Sequence, residues 1–100
     1  MALEQHRKHV SGKKSGDVLL YALSTCGWCR KTKNLLDDMG VEYDYIDVDQ
    51  LDPGTKKEAI ENIKVWNPSC SFPTMVINNE KCIVGYQEEK VREALSSGAD

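Results

Sequence analysis

Long apolar runs are missing from this chain. No stretch of its 100 residues approaches the roughly 20 apolar positions needed to span a bilayer. The opening Met1-Ala2-Leu3-Glu4-Gln5-His6 holds no apolar signal core. Together these gaps predict a cytoplasmic protein without a membrane partner. Internal repeats and low-complexity segments are also missing, which sets aside solenoids and arrays. A basic surplus is absent as well: the formal net charge of −3 argues against nucleic acid as the main partner. Cysteines number only 4, and two of them, Cys70 and Cys82, are twelve apart. The two short-spaced pairs of a structural zinc site are therefore not present, and no metal site is expected. What remains fits one small domain, expected as a monomer, whose 40% hydrophobic residues suffice for a core with little surplus.

The feature that carries chemistry is Cys26-Gly27-Trp28-Cys29, where an apolar run from Val18 to Leu23 gives way to a helix-patterned segment ending at Met39-Gly40. Two thiols three residues apart at a strand-to-helix junction put one sulfur at a helix N-terminus. Free backbone N–H groups and the helix dipole stabilise a thiolate there, and the thiolate is the nucleophilic form. Cys26, at the junction, is read as the attacking sulfur. Cys29, one turn along the same helix face, is read as the resolving thiol. Arg30, Lys31 and Lys33 follow, and either add local positive charge or are simply solvated.

Residues 1–16 carry Arg7, Lys8, Lys13 and Lys14 against Glu4, a balance of +3 that leaves −6 on the remainder. This polar stretch ends in Ser15-Gly16, lacks apolar periodicity and reads as a flexible basic tail before a folded domain at 17–100. His6 and His9 in it are expected to be solvated. Val18 to Ser24 reads as a strand buried on both faces. The helix after it carries Trp28, Thr32, Leu35, Leu36 and Met39 on one stripe and stops at Gly40. Val41 to Asp49 reads as a second strand with Tyr43, Ile46 and Val48 inward. A second helix starts at Asp52-Pro53 or at the capping box Thr55 to Glu58, buries Ala59, Ile60 and Ile63, packs Trp66, and breaks at Asn67-Pro68. Thr74 to Asn78 and Lys81 to Val84 read as an antiparallel hairpin turning at Asn78-Asn79. Gln87 to Ser96 closes the chain as a helix stopped by Gly98, with Val91, Ala94 and Leu95 inward. The order is βαβαββα: an α/β domain with a four-stranded mixed sheet and helices on both faces.

That order resembles a glutaredoxin, with the thioredoxin-like fold, through three motifs: Thr25-Cys26-Gly27-Trp28-Cys29 after the first strand, Phe72-Pro73-Thr74 before the third, and Gly85-Tyr86 after the fourth. The resemblance covers about residues 17–97. It implies that Pro73 is cis and faces the sulfurs, that the backbone of Phe72 is free to pair with an extended substrate, and that the Gly85-Tyr86 turn completes the site. Phe72, Pro73, Thr74, Gly85 and Tyr86 are thus candidate substrate-binding residues, with Trp28 as an exposed docking surface. Gly27 and Trp28 stand where the family commonly has proline and tyrosine. Gly85-Tyr86-Gln87-Glu88-Glu89 lacks the second glycine of a glutathione site and is closer to NrdH-type redoxins, which take electrons from thioredoxin reductase. Cys70 lies in the loop before Pro73, either as an extra redox thiol able to bond Cys26 or as an ordinary loop thiol. Cys82 reads as a small buried hydrophobe.

The expected function is dithiol–disulfide oxidoreduction, an electron-transport activity on protein disulfides or glutathione mixed disulfides through a redox-active Cys26–Cys29 disulfide bond. It requires no cofactor, and its reductant is a thioredoxin-reductase-type protein or glutathione. Two alternatives stand beside it. Some glutaredoxins with glycine after the first cysteine hold a [2Fe–2S] cluster between subunits with glutathione as co-ligand, and Gly27 keeps that open. A non-catalytic thioredoxin-fold adaptor is the other.

Overall fold

The apolar run after residue 17 forms the centre of the sheet in the computed structural model, which describes residues 5–97. β1 (Lys8–Val10), β2 (Val18–Ala22), β3 (Tyr43–Asp47), β4 (Thr74–Ile77) and β5 (Lys81–Val84) lie in the order β1-β3-β2-β4-β5. β2 and β3 are parallel, and the other neighbours are antiparallel. The helices named among the described residues are α1 (Gly27–Met39), α2 (Pro53–Trp66) and α3 (Glu88–Ser97).

Side chains alternate across β2 and so build two cores. Leu20 and Ala22 meet Cys29, Leu35 and Leu36 of α1 and Val91 and Leu95 of α3. Tyr21, with Ile46 and Val76, meets Ala59 and Ile63 of α2. Helices therefore cover both faces, α1 and α3 on one and α2 on the other. α1 ends where Gly40, at φ 67°, donates its N–H to the carbonyls of Asp37 and Leu36, a left-handed cap that glycine adopts without strain. α2 starts at Asp52 rather than at Thr55: the Asp52 carboxylate accepts from the Thr55 N–H at 3.1 Å, and Pro53 occupies the first turn. Asn78 and Asn79 both take positive φ, as a tight hairpin requires. Among the described residues no helix is long and apolar enough to cross a membrane.

Two elements differ from the sequence expectation. The sheet has five strands, not four, because part of the stretch read as a basic tail pairs antiparallel with β3 as β1. Backbone pairing and Val10, packed at the edge of the α1-side core, hold it there together with charge. Arg7 Nε donates to Asp44 at 2.8 Å, and His9 places Nδ1 2.7 Å from Asp44 and Nε2 3.2 Å from Glu42. His9 is solvent-exposed, as expected, yet paired, and the Asp44 hydrogen bond raises its pKa. The second strand also ends early: Val48–Gln50 turn into a 3₁₀ helix, with Val48 in the core and Asp49 redirected toward the loop after β2. The stop expected at Gly98 lies outside the described residues.

Candidate active site

β2 and β3 run parallel, and the site forms where their carboxyl ends open into loops, the usual position in an open α/β sheet. Cys26 is the N-cap of α1. Its backbone is extended at φ −85° and ψ 120°, and its Sγ accepts a hydrogen bond from the Cys29 N–H at 3.1 Å. The sulfur thus sits against a first-turn N–H that has no partner within the helix, at the positive end of the dipole. No acidic residue occupies that first turn. Cys29, one turn in, is fully buried. Burial, with the hydrogen bond and negative charge of Cys26, pushes the Cys29 thiol up to about 12. Lys33 opposes that shift only weakly, being committed to Asp47 at 3.1 Å and to the Tyr45 ring. One sulfur is accessible and capped, and the other is buried and protonated. All four cysteines are free thiols.

An aromatic rim adjoins the turn that carries Cys26. Trp28 is 57% exposed, as expected, and stacks on Tyr86 with ring centroids 5.8 Å apart and planes at 29°. Lys31 lies over the indole, 4.6 Å from its centroid. The rim joins the Cys26 turn to the Gly85-Tyr86 turn, two of the three sequence motifs.

The third motif is tied in through the backbone. The Phe72–Pro73 bond is cis, and the Gly85 N–H donates to the Pro73 carbonyl at 2.8 Å. Gly85 makes this turn at φ 81°, a region where a side chain would be strained. Phe72 packs between the two cores, while Pro73 and Thr74 are buried. Cys70 takes φ 50° and packs against the α2-side core, whereas Cys26 packs against the α1-side core. Cys82 is half-buried, and desolvation raises its pKa.

Sequence reasoning passed over two groups. Asn67, the residue ending α2, is buried, and its Nδ2 donates to Ser71 Oγ at 3.0 Å and Thr74 Oγ1 at 3.1 Å, fastening the loop that leads to Pro73. Asp49 accepts from both the backbone N–H (2.8 Å) and the hydroxyl of Ser24, two residues before Cys26. The available signal for Asp49 was its position at the exit of a strand parallel to β2.

The profile of the Glutaredoxin family matches residues 18–83, two thirds of the chain. The chain belongs to the glutaredoxin family. It is 52% identical to the glutaredoxin from Methanosarcina mazei Go1, with TM-score 0.84 over 90% of this chain and 87% of that one. It is also 52% identical to Methanosarcina acetivorans methanoredoxin, with TM-score 0.85 over 88% and 93%. The Gene 56 protein of Mycobacterium phage D29 is 31% identical over 78% of this chain and 81% of its own length. Glutaredoxin membership and the Cys26–Cys29 pair at the helix start support a thiol oxidoreductase role.

Proposed function

We propose that this glutaredoxin reduces disulfides of protein clients by a dithiol cycle, with Cys26 attacking and Cys29 resolving. The Cys26 thiolate gives its electron pair to the nearer sulfur of the client disulfide, so the Cys26–client bond forms as the client S–S bond breaks. The departing client sulfur takes the bond pair and then a proton from solvent. Cys29 next loses its proton to solvent and attacks Cys26, so the Cys26–Cys29 bond forms as the Cys26–client bond breaks, and the second client sulfur leaves with the bond pair and takes a proton from solvent. The observation that carries this order is the contrast between the two sulfurs: Cys26 receives the Cys29 N–H, while Cys29 is buried and held protonated in part by Cys26 itself. Once Cys26 is in a mixed disulfide its negative charge is gone, and that part of the restraint on Cys29 goes with it. Resolution then follows attack.

Trp28 and Tyr86 form the face on which the client backbone and side chains rest, beside the Phe72–Thr74 segment. Tyr86 also occupies the turn where a second glycine would leave room for a glutathione peptide. A protein reductase of the thioredoxin-reductase type is therefore the favoured donor. Iodoacetamide should label the reduced protein first at Cys26, and equal rates at Cys26 and Cys29 near neutral pH would reject the assignment. Steady-state turnover with each donor at matched protein concentration tests the second part. Saturable glutathione-dependent turnover, with none from any thioredoxin reductase, would reverse it.

A [2Fe–2S] carrier is the second reading. Cys26 supplies one accessible thiolate per subunit, and a Cβ at Gly27 would meet no atom within 4 Å, so space beside the sulfur is open. Brown colour with charge-transfer absorption after anaerobic purification distinguishes it from the dithiol cycle.

A further inference from the structure

We propose that Asp49 is a positioning residue for Cys26. The inference rests on the reading of Cys26 as the attacking thiol and adds the group that holds it in place.

Between β2 and α1 the chain crosses Leu23, Ser24 and Thr25 before reaching Cys26. The loop's own backbone ties it to the helix start: the Cys26 N–H donates to the Leu23 carbonyl at 3.2 Å, and the Leu23 backbone hydrogen-bonds the Cys29 sulfur. Ser24 is exposed, and packing does not fix it. Its N–H donates to Asp49 Oδ1 at 2.8 Å while its hydroxyl donates to Oδ2, so one carboxylate grips both donors of a single residue. Gln50 closes the group by donating from Nε2 to Ser24 Oγ and to Asp49 Oδ2, each at 3.1 Å. The carboxylate has a firm base, since the adjoining Val48 is 1% exposed in the α2-side core. The active-site loop is thereby fastened to the exit of β3, and this second anchor lies outside the helix that Cys26 caps.

The same grip lowers the Asp49 carboxyl to about 2, mainly through the Ser24 hydroxyl, so it stays ionised throughout the neutral range. A negative charge near the loop works against a thiolate on Coulombic grounds. A purely electrostatic role would therefore slow Cys26, whereas a positional role keeps the sulfur over the Cys29 N–H and aimed outward for attack. The two accounts give opposite signs.

The experiment compares the full reduced chain with Asp49→Asn, Asp49→Ala and Ser24→Ala. It reads iodoacetamide alkylation at Cys26 near pH 7 by mass spectrometry, and thermal midpoints alongside. Positioning gives about a three- to ten-fold slower alkylation in Asp49→Ala, the scale of one net hydrogen bond. Asp49→Asn and Ser24→Ala are both slowed by less, because each keeps an acceptor for the residue-24 N–H. Faster alkylation in both Asp49 variants with Ser24→Ala unchanged means charge alone, and overturns the proposal. Lowered midpoints with alkylation unchanged everywhere mean a structural role, and overturn it too. If Asp49→Ala does not fold, Ser24→Ala, which removes one oxygen from an exposed side chain, carries the test. Alkylation needs neither client nor reductant. A protein that turned over no disulfide would sink the proposed function and leave this result standing, while unchanged alkylation with normal turnover would do the reverse.

Discussion

Replacing Asn67 by alanine asks whether one buried amide holds the proline loop. Its Nδ2 donates to Ser71 Oγ at 3.0 Å and Thr74 Oγ1 at 3.1 Å, with a longer approach to the Ser71 carbonyl at 3.3 Å. At about 0.5–1.5 kcal/mol net for each bond, the two shorter ones contribute about 1–3 kcal/mol. Thr74 Oγ1 keeps its own bond to the Ser71 carbonyl at 2.7 Å, and Ser71 is exposed to water. No charged group is stranded, so a loss of about 1–2 kcal/mol is expected. Thr74→Val should cost a similar amount, about 1–2 kcal/mol, because the Asn67 amide keeps Ser71 Oγ and the Ser71 carbonyl keeps its longer contact with Asn67. The two residues share a bond, so the double variant should be less destabilised than the sum, by about 0.5–1.5 kcal/mol. Urea unfolding at unchanged m-value reads all three, and each kcal/mol appears as roughly 4–8 °C in Tm for a domain of this size. In turnover the loosened Ser71–Phe72–Pro73 segment raises KM for a disulfide peptide and leaves Cys26 alkylation alone. Additive losses, or a loss below about 0.5 kcal/mol for Asn67→Ala, would refute the reasoning.

Cys29→Ser should complete the first half-reaction and accumulate mixed disulfide visible by intact mass, whereas Cys26→Ser should be inert in the same assay. Gly27→Ala should gain about 0.4–1 kcal/mol in urea unfolding, because the new methyl meets no atom within 4 Å and the unfolded chain loses freedom. Trp28→Ala should change stability by less than about 1.5 kcal/mol, the reach of an exposed aromatic pair, while raising KM for protein disulfides several-fold. The Asp44 hydrogen bond raises the His9 pKa, so His9 adds stability that is complete below its ordinary value of about 6.5 and is lost as pH rises through the folded value. The stability difference between wild type and His9→Gln should be greatest in mild acid and fade in alkali, and a difference that grows with pH would contradict the pairing.

Apolar spacing made the middle of the fold legible. Leu20, Ala22, Leu35, Leu36, Ala59, Ile63, Val91 and Leu95 were all readable as inward, because strand and helix periods show in a single sequence. Glycine and asparagine at turns marked Gly40 and Asn78-Asn79 in the same way. The sulfur pair and the Trp28 exposure followed from one junction. The parts that escaped are polar contacts between distant residues. β1 has no apolar alternation, and its partners Asp44 and Glu42 lie more than thirty positions away. Asp49 looked like the end of a strand until its carboxylate was found on Ser24, and Asn67 looked like a helix breaker although its amide also ties the next loop. Charge and amide pairing carry no period, so no window along the chain displays them.

Holding β1 partly by ions has a colloidal consequence. β1 covers the free edge of β3, and an uncovered edge of N–H and C=O groups is a template on which other chains can stack. Its Arg7 and His9 contacts lie at or near the surface, where salt screens them. Alkaline pH and high ionic strength should therefore promote self-association before they unfold the core, so precipitation would begin at the margin of the sheet in molecules whose redox centre is still intact.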